Sequence, residues 1–193
     1  MELDLTGPLR EDAYMILAGL VTPRPIALTT TVDPEGRVNA APFSFFNVLG
    51  DSPPIVGFCP GDRSAGVPKD TARNIRLTHE FVVNLVDEAL AATLPPGENE
   101  ILHAGLTAVP SSVVKPPRIA EAPVSLECRS HSITEIGDNR LIIGEVLRIH
   151  VRDGILDPAT WLVKPGNYHP IGRMQSPSWY CHTHDMFEMK RPK

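Results

Sequence analysis

Lys69-Asp-Thr-Ala-Arg-Asn74 gathers a cation, a carboxylate and a hydroxyl at the mouth of a stretch with helical character. A helix start offers unbonded backbone N–H groups and the positive end of the dipole, which suits it to a phosphate. Asp70 is expected to cap the helix through its carboxylate. Lys69 supplies charge, Thr71 a hydroxyl donor, and Asn74 completes the segment. The same residues also suit a well-capped surface helix. A second stretch, Arg37-Val-Asn-Ala-Ala-Pro-Phe-Ser-Phe-Phe-Asn47, precedes Ser52-Pro-Pro54. Read as one strand, its alternation puts Phe43, Phe45 and Asn47 on one face and Ser44 and Phe46 on the other. Ala40 and Ala41 would let backbone approach a planar ring, the phenylalanines would wall it, and Ser44 and Asn47 would bond its heteroatoms. Core packing accounts for the phenylalanines as readily. Arg24 lies between Pro23 and Pro25, which force an extended backbone and hold the guanidinium in place. Together these features point to a site for an anionic aromatic ligand.

Other reactive groupings lead less far. Cys181-His-Thr-His-Asp185 contains metal-ligand types, but its spacing is not that of a zinc knuckle. No second Cys or His pair lies nearby in sequence to close a site, so no metal is expected there. His103, His131, His150 and His169 are scattered. The chain has no Gly-x-Ser-x-Gly elbow, no P-loop and no Gly-x-Gly-x-x-Gly fingerprint, so no side chain is assigned as a catalytic acid, base or nucleophile.

The elements that must position these residues are short. Twenty prolines are dispersed along 193 residues, and each tends to end a strand or sit at an edge. The pattern predicts a helix over 12–20, strands over 25–32, 38–48 and 55–59, a helix over 69–79 and a strand over 81–86. A shorter helix over 88–94 should end at Pro95-Pro-Gly97. Asp33-Pro-Glu-Gly36 is a turn signal, and 124–136 with 141–151 reads as a hairpin across Gly137-Asp-Asn139. The second strand is expected to bulge near Pro42. About six strands with one long crossover helix fit an antiparallel Greek-key barrel with flanking helices.

A 42% hydrophobic content suits one globular domain spanning 1–193, with its core over about 14–180 and a polar tail. The net charge of −5 argues against a nucleic-acid partner. No apolar run approaches membrane length, and the acidic N-terminus is unlike a secretory signal. Three widely spaced cysteines fit reduced thiols in the cytoplasm.

From Tyr14 to Tyr180, the order of these segments resembles the flavin reductase-like family of FMN-binding split barrels. The resemblance implies the split barrel, a homodimer, and FMN contacts by Ser44, Phe45, Phe46 and Asn47. It sets Arg24 and Pro25 beside the flavin and supports Lys69, Asp70, Thr71 and Asn74 as the phosphate end. Tyr168-His-Pro-Ile-Gly-Arg-Met174 is similar to the family's C-terminal element, which adds Arg173, but Gln175-Ser-Pro-Ser-Trp-Tyr180 replaces the usual glycines. One cationic helix start without a second glycine loop favours FMN over FAD. The expected activity is an NAD(P)H-dependent flavin oxidoreductase serving an unspecified electron acceptor. The alternatives are a non-enzymatic FMN carrier and a metal-binding protein.

Overall fold

The computed structural model describes residues 1–93, 105–164 and 166–190. The elements in order are α1 (Ala13–Leu20), β1 (Ala27–Val32), β2 (Val38–Phe43), β3 (Phe46–Asp51), β4 (Pro54–Phe58) and α2 (Asp70–Thr78). There follow β5 (Glu80–Leu85), α3 (Glu88–Ala91), β6 (Ala108–Val109), β7 (Arg118–Ile119), β8 (Val124–Ile136), β9 (Asn139–Val151), β10 (Ile171–Arg173) and β11 (Tyr180–His182). Seven strands form one sheet in the order β2-β1-β5-β8-β9-β4-β3, with every pairing antiparallel. The edge strands β2 and β3 are consecutive in the chain, so the sheet must curl until its edges approach at residues 44–45. They do not pair. This is the split barrel, mainly β with flanking helices.

The stretch predicted as one strand over 38–48 is therefore two. Val38–Phe43 pairs with β1, whereas Phe46–Asp51 pairs with β4. A strand with Pro42 at its end cannot extend a ladder indefinitely, and the chain turns a corner where a bulge was expected. That break accounts for seven strands in the sheet against the six anticipated. The two hairpins form as predicted. Gly36 adopts φ +83° in the first turn and Gly137 φ +56° in the second, where Asn139 already belongs to β9. The short helix near 88 covers only Glu88–Ala91, and its expected stop at Pro95-Pro-Gly97 lies outside the described residues, as does His103.

Alternation divides the strands between two cores. One face of all seven supplies Ala27, Phe43, Phe46, Val56, Phe58, Phe81, Val83, Leu126 and Ile142 to the barrel interior, and α2 seals it with Ala72 and Ile75. The opposite face of β1 sends Leu28 into a smaller cluster with Val86, Leu90 of α3, and Ile119 of β7. Central β1 is thus buried along its whole length. Among the described residues, no helix is long and apolar enough to cross a membrane.

Candidate functional site

The corner between β2 and β3 opens into a groove of about 430 Å³. Leu17 and Val21 reach it from α1 and its end, Pro23, Arg24 and Pro25 from the following extended segment, and Ser44, Phe45, Phe46 and Asn47 from the corner. Leu49, Gly57, Phe58 and Leu141 complete it. Six of the predicted residues thus converge here: Arg24, Pro25, Ser44, Phe45, Phe46 and Asn47. Sequence reasoning missed the α1 wall and the Gly57 floor, although the apolar stripe of α1 and a glycine within an apolar strand were visible signals.

The faces of the corner differ from the expected alternation. Phe43 and Phe46 both enter the core, while Phe45 and Asn47 are exposed, because the chain turns between the two strands. Phe45 is left to wall the groove, with its ring centroid 6.1 Å from that of Tyr14. The Asn47 Oδ1 accepts a 2.8 Å bond from the Val48 N–H, leaving its Nδ2 without a partner among the described residues. Gly57 keeps the floor low: a Cβ there would lie 2.3 Å from Leu49 Cδ1. Apolar walls with a few amide and hydroxyl groups match the needs of a planar heteroaromatic ligand.

Arg24 is 7% exposed, and its guanidinium is committed to the protein. Nη1 donates to the carbonyls of Ala18 and Val21, both at 2.5 Å, and Nη2 to that of Met174 at 2.8 Å. Nε reaches Ser44 Oγ only at 3.5 Å. A buried fork that satisfies three carbonyls positions the groove wall. The guanidinium also lies 5.7 Å from the Phe45 ring centroid. Arg173 stands behind this wall: its backbone pairs with that of Arg24, and its guanidinium covers the Tyr180 ring and donates to the Pro177 carbonyl at 2.6 Å. It is not among the groove-lining residues.

The predicted phosphate end forms a separate group on α2. Lys69 is the N-cap residue and is exposed, with Nζ 5.8 Å from the Phe43 ring centroid. Asp70 does not cap the helix. It occupies the first helical position, and its carboxylate pairs with Arg63 and Arg73 at 2.9 and 2.8 Å. Thr71 and Asn74 are buried at the junction with the sheet. Thr71 Oγ1 accepts from Asn39 Nδ2 at 3.0 Å, and Asn74 Nδ2 donates to Thr31 Oγ1 at 3.1 Å. Among the described residues, Lys69 is therefore the member of the motif whose charge has no ion-pair partner. Strand β2 connects this end to the groove, running from Asn39 beside Thr71, past Phe43 under Lys69, to the Ser44 corner. Burial raises the Cys59 and Cys128 thiols above their ordinary range, which leaves both poorly suited to nucleophilic work.

Residues 19–172 match the family described as flavin reductase like domain, and the chain belongs to that family. An uncharacterized protein of Deinococcus radiodurans is 40% identical, with 97% of this chain and 88% of the relative aligned. Two solved structures are similar over nearly full length. The 2-nitrobenzoate 2-nitroreductase NbaA of Pseudomonas fluorescens has a TM-score of 0.89 at 31% identity, covering 100% of this chain and 96% of its own. Nitrilotriacetate monooxygenase component B of Bacillus cereus has a TM-score of 0.90 at 30% identity, covering 98% and 99%.

Proposed function

We propose that the chain binds FMN and works as an NAD(P)H-dependent flavin oxidoreductase. The observation that carries this reading is the groove at the β2–β3 corner, linked by β2 to the exposed ammonium of Lys69. Phe45, Leu17 and Leu49 would shield the ring from water. Asn47 Nδ2 and the Ser44 hydroxyl would bond its polar edge, and Lys69 would neutralise the phosphate. Arg24 would hold the wall in place without spending its charge on the ligand. Asp70 would orient Arg63 and Arg73 near the phosphate end, while Thr71 and Asn74 fix the helix to the sheet. When bound, FMN would supply acceptance of hydride from a nicotinamide and delivery of electrons to an acceptor. The names of the two solved relatives, a nitroreductase and a monooxygenase component, agree with redox work.

The reading includes a homodimer in which the partner covers the exposed side of each groove. It places the chain in the cytoplasm, supported by three cysteines that are all free thiols. Two measurements test the reading. Flavin released by denaturing the reconstituted protein should be FMN, identified by chromatography. Anaerobic NADH or NADPH should then bleach the bound flavin. Recovery of FAD would refute the cofactor assignment, and FMN that resists both nucleotides would leave a carrier in place of an enzyme.

A further inference from the structure

Three segments meet away from the groove and bring histidines onto a carboxylate. Glu88 opens α3, directly after β5, and His182 ends β11, 94 positions later in the chain. His182 and His184 flank a bend at Thr183, and both imidazoles turn towards the Glu88 carboxylate. The intervening Thr183 faces away and donates its hydroxyl to the Pro170 carbonyl at 2.5 Å. His182 Nδ1 lies 2.6 Å and His184 Nδ1 3.7 Å from Glu88 Oε1, and the three donor atoms all fall within 4.8 Å of one another.

We propose that Glu88, His182 and His184 form a binding site for a divalent first-row transition metal such as zinc. Two imidazoles and one carboxylate suit borderline ions of this class. Ligands about 2.0–2.1 Å from a tetrahedral ion lie about 3.3 Å apart, and the two observed N···O distances bracket that value. Small rotations of exposed side chains would equalise them. The backbone already holds the three segments together: the Glu88 N–H donates to the His169 carbonyl at 3.1 Å, and the Ile171 N–H to the Val86 carbonyl at 3.3 Å. His169 is the group placed to add a fourth donor. Its ring centroid lies 6.4 Å from that of His184, and its Nε2 is 2.8 Å from the Gly166 carbonyl, leaving Nδ1 to ligate. Cys181, which stood out in sequence, points the other way, towards Gly172. An ion here would staple the β10–β11 hairpin to the end of β5. That hairpin carries the Arg173 backbone that pairs with Arg24, so the staple would support the groove wall from behind.

The test uses the full FMN-loaded chain after removal of any affinity tag, with Zn²⁺ affinity measured by competition against a chelating dye. The wild type should bind one Zn²⁺ per chain. Glu88→Gln, His182→Ala and His184→Ala should each weaken binding at least about tenfold. Circular dichroism and retained flavin would show that the variants are folded. Cys181→Ser should bind as the wild type does. Wild-type affinity no tighter than about millimolar would overturn the site. So would Zn²⁺ binding that survives Glu88→Gln or that depends on Cys181. Failure of the FMN reading would leave the metal result intact, since its readout is Zn²⁺ affinity.

Discussion

Arg24 shows how the same physical property serves two different ends. Flanking prolines make the guanidinium rigid, which equips it for a ligand phosphate or for protein carbonyls. In the fold it meets Ala18 and Val21 at the end of α1, and Met174, which lies 150 positions away. A hydrogen bond from a charged donor contributes about 1.5–3 kcal/mol, and stranding its acceptors adds a desolvation cost. Arg24→Ala should therefore lower stability by about 2–4 kcal/mol in chemical denaturation and weaken FMN binding with it. Arg24→Lys should recover only part of this, because one ammonium cannot reproduce the fork. An unchanged denaturation midpoint in Arg24→Ala would remove the clamp from the account. The rigidity of Arg24 was legible in the sequence, but its targets were not, because they are brought together only by tertiary folding. Thr71 follows the same logic. Its hydroxyl was readable as a phosphate donor at a helix start, and burial against Asn39 gives it a partner from another element. The Glu88–His182 pairing was likewise hidden by the 94 positions that separate the two residues.

Strand β8 carries a charge into the interior, and the loop before it is built around that charge. Glu127 is 0% exposed. Its carboxylate accepts from the N–H groups of Ser112 and Val113, each at 2.7 Å, and meets His150 Nε2 on β9 at 2.5 Å. Burial by itself would raise the carboxyl's pKa, but these donors outweigh it and hold the group below its ordinary value of 4.5. A carboxyl depressed in the folded state contributes stability that is present above the unfolded value and lost as pH falls through the folded one. Thermal stability should therefore fall below about pH 4.5. Glu127→Gln should cost about 1.5–3 kcal/mol at neutral pH, and its difference from the wild type should shrink in acid. A constant difference from pH 7 to pH 3 would show that Glu127 is not the titrating group. At this scale the sequence was readable wherever local signals sufficed: glycines with positive φ mark both hairpin turns, and α2 lies within a residue of its predicted bounds. The Ser44–Phe45 corner was not readable, because period-two alternation looks continuous across two strands that pair with different neighbours. The short β10–β11 hairpin was also missed, as its pairing depends on docking against Arg24.

For the whole molecule, the distribution of exposed apolar surface bears on the proposed dimer. Helix α1 buries only Ala18; Tyr14, Met15, Leu17 and Leu20 remain exposed, Leu20 at 74%. Their patch is continuous with the corner, since Tyr14 lies against Phe45, and Val48 and Leu49 are exposed beside it. A contiguous apolar face of this kind is the signature of an interaction surface. It borders the groove, so a second copy seated there would also close the wet side of a bound flavin. An isologous contact would do so for both grooves at once. Leu20 belongs to the patch but not to the groove lining, which lets association be perturbed without touching the ligand. Leu20→Glu places a charge in the contact while costing little in the isolated subunit, where the side chain already meets water. The expected result is a folded monomer by light scattering, with FMN affinity reduced about tenfold because each groove has lost its cover. Dilution of the wild type should release flavin as the dimer separates, so that affinity depends on protein concentration. A wild-type monomer that keeps tight FMN binding at nanomolar concentration would mean that Phe45 and Leu17 shield the ring unaided, and the shared site would have to be given up.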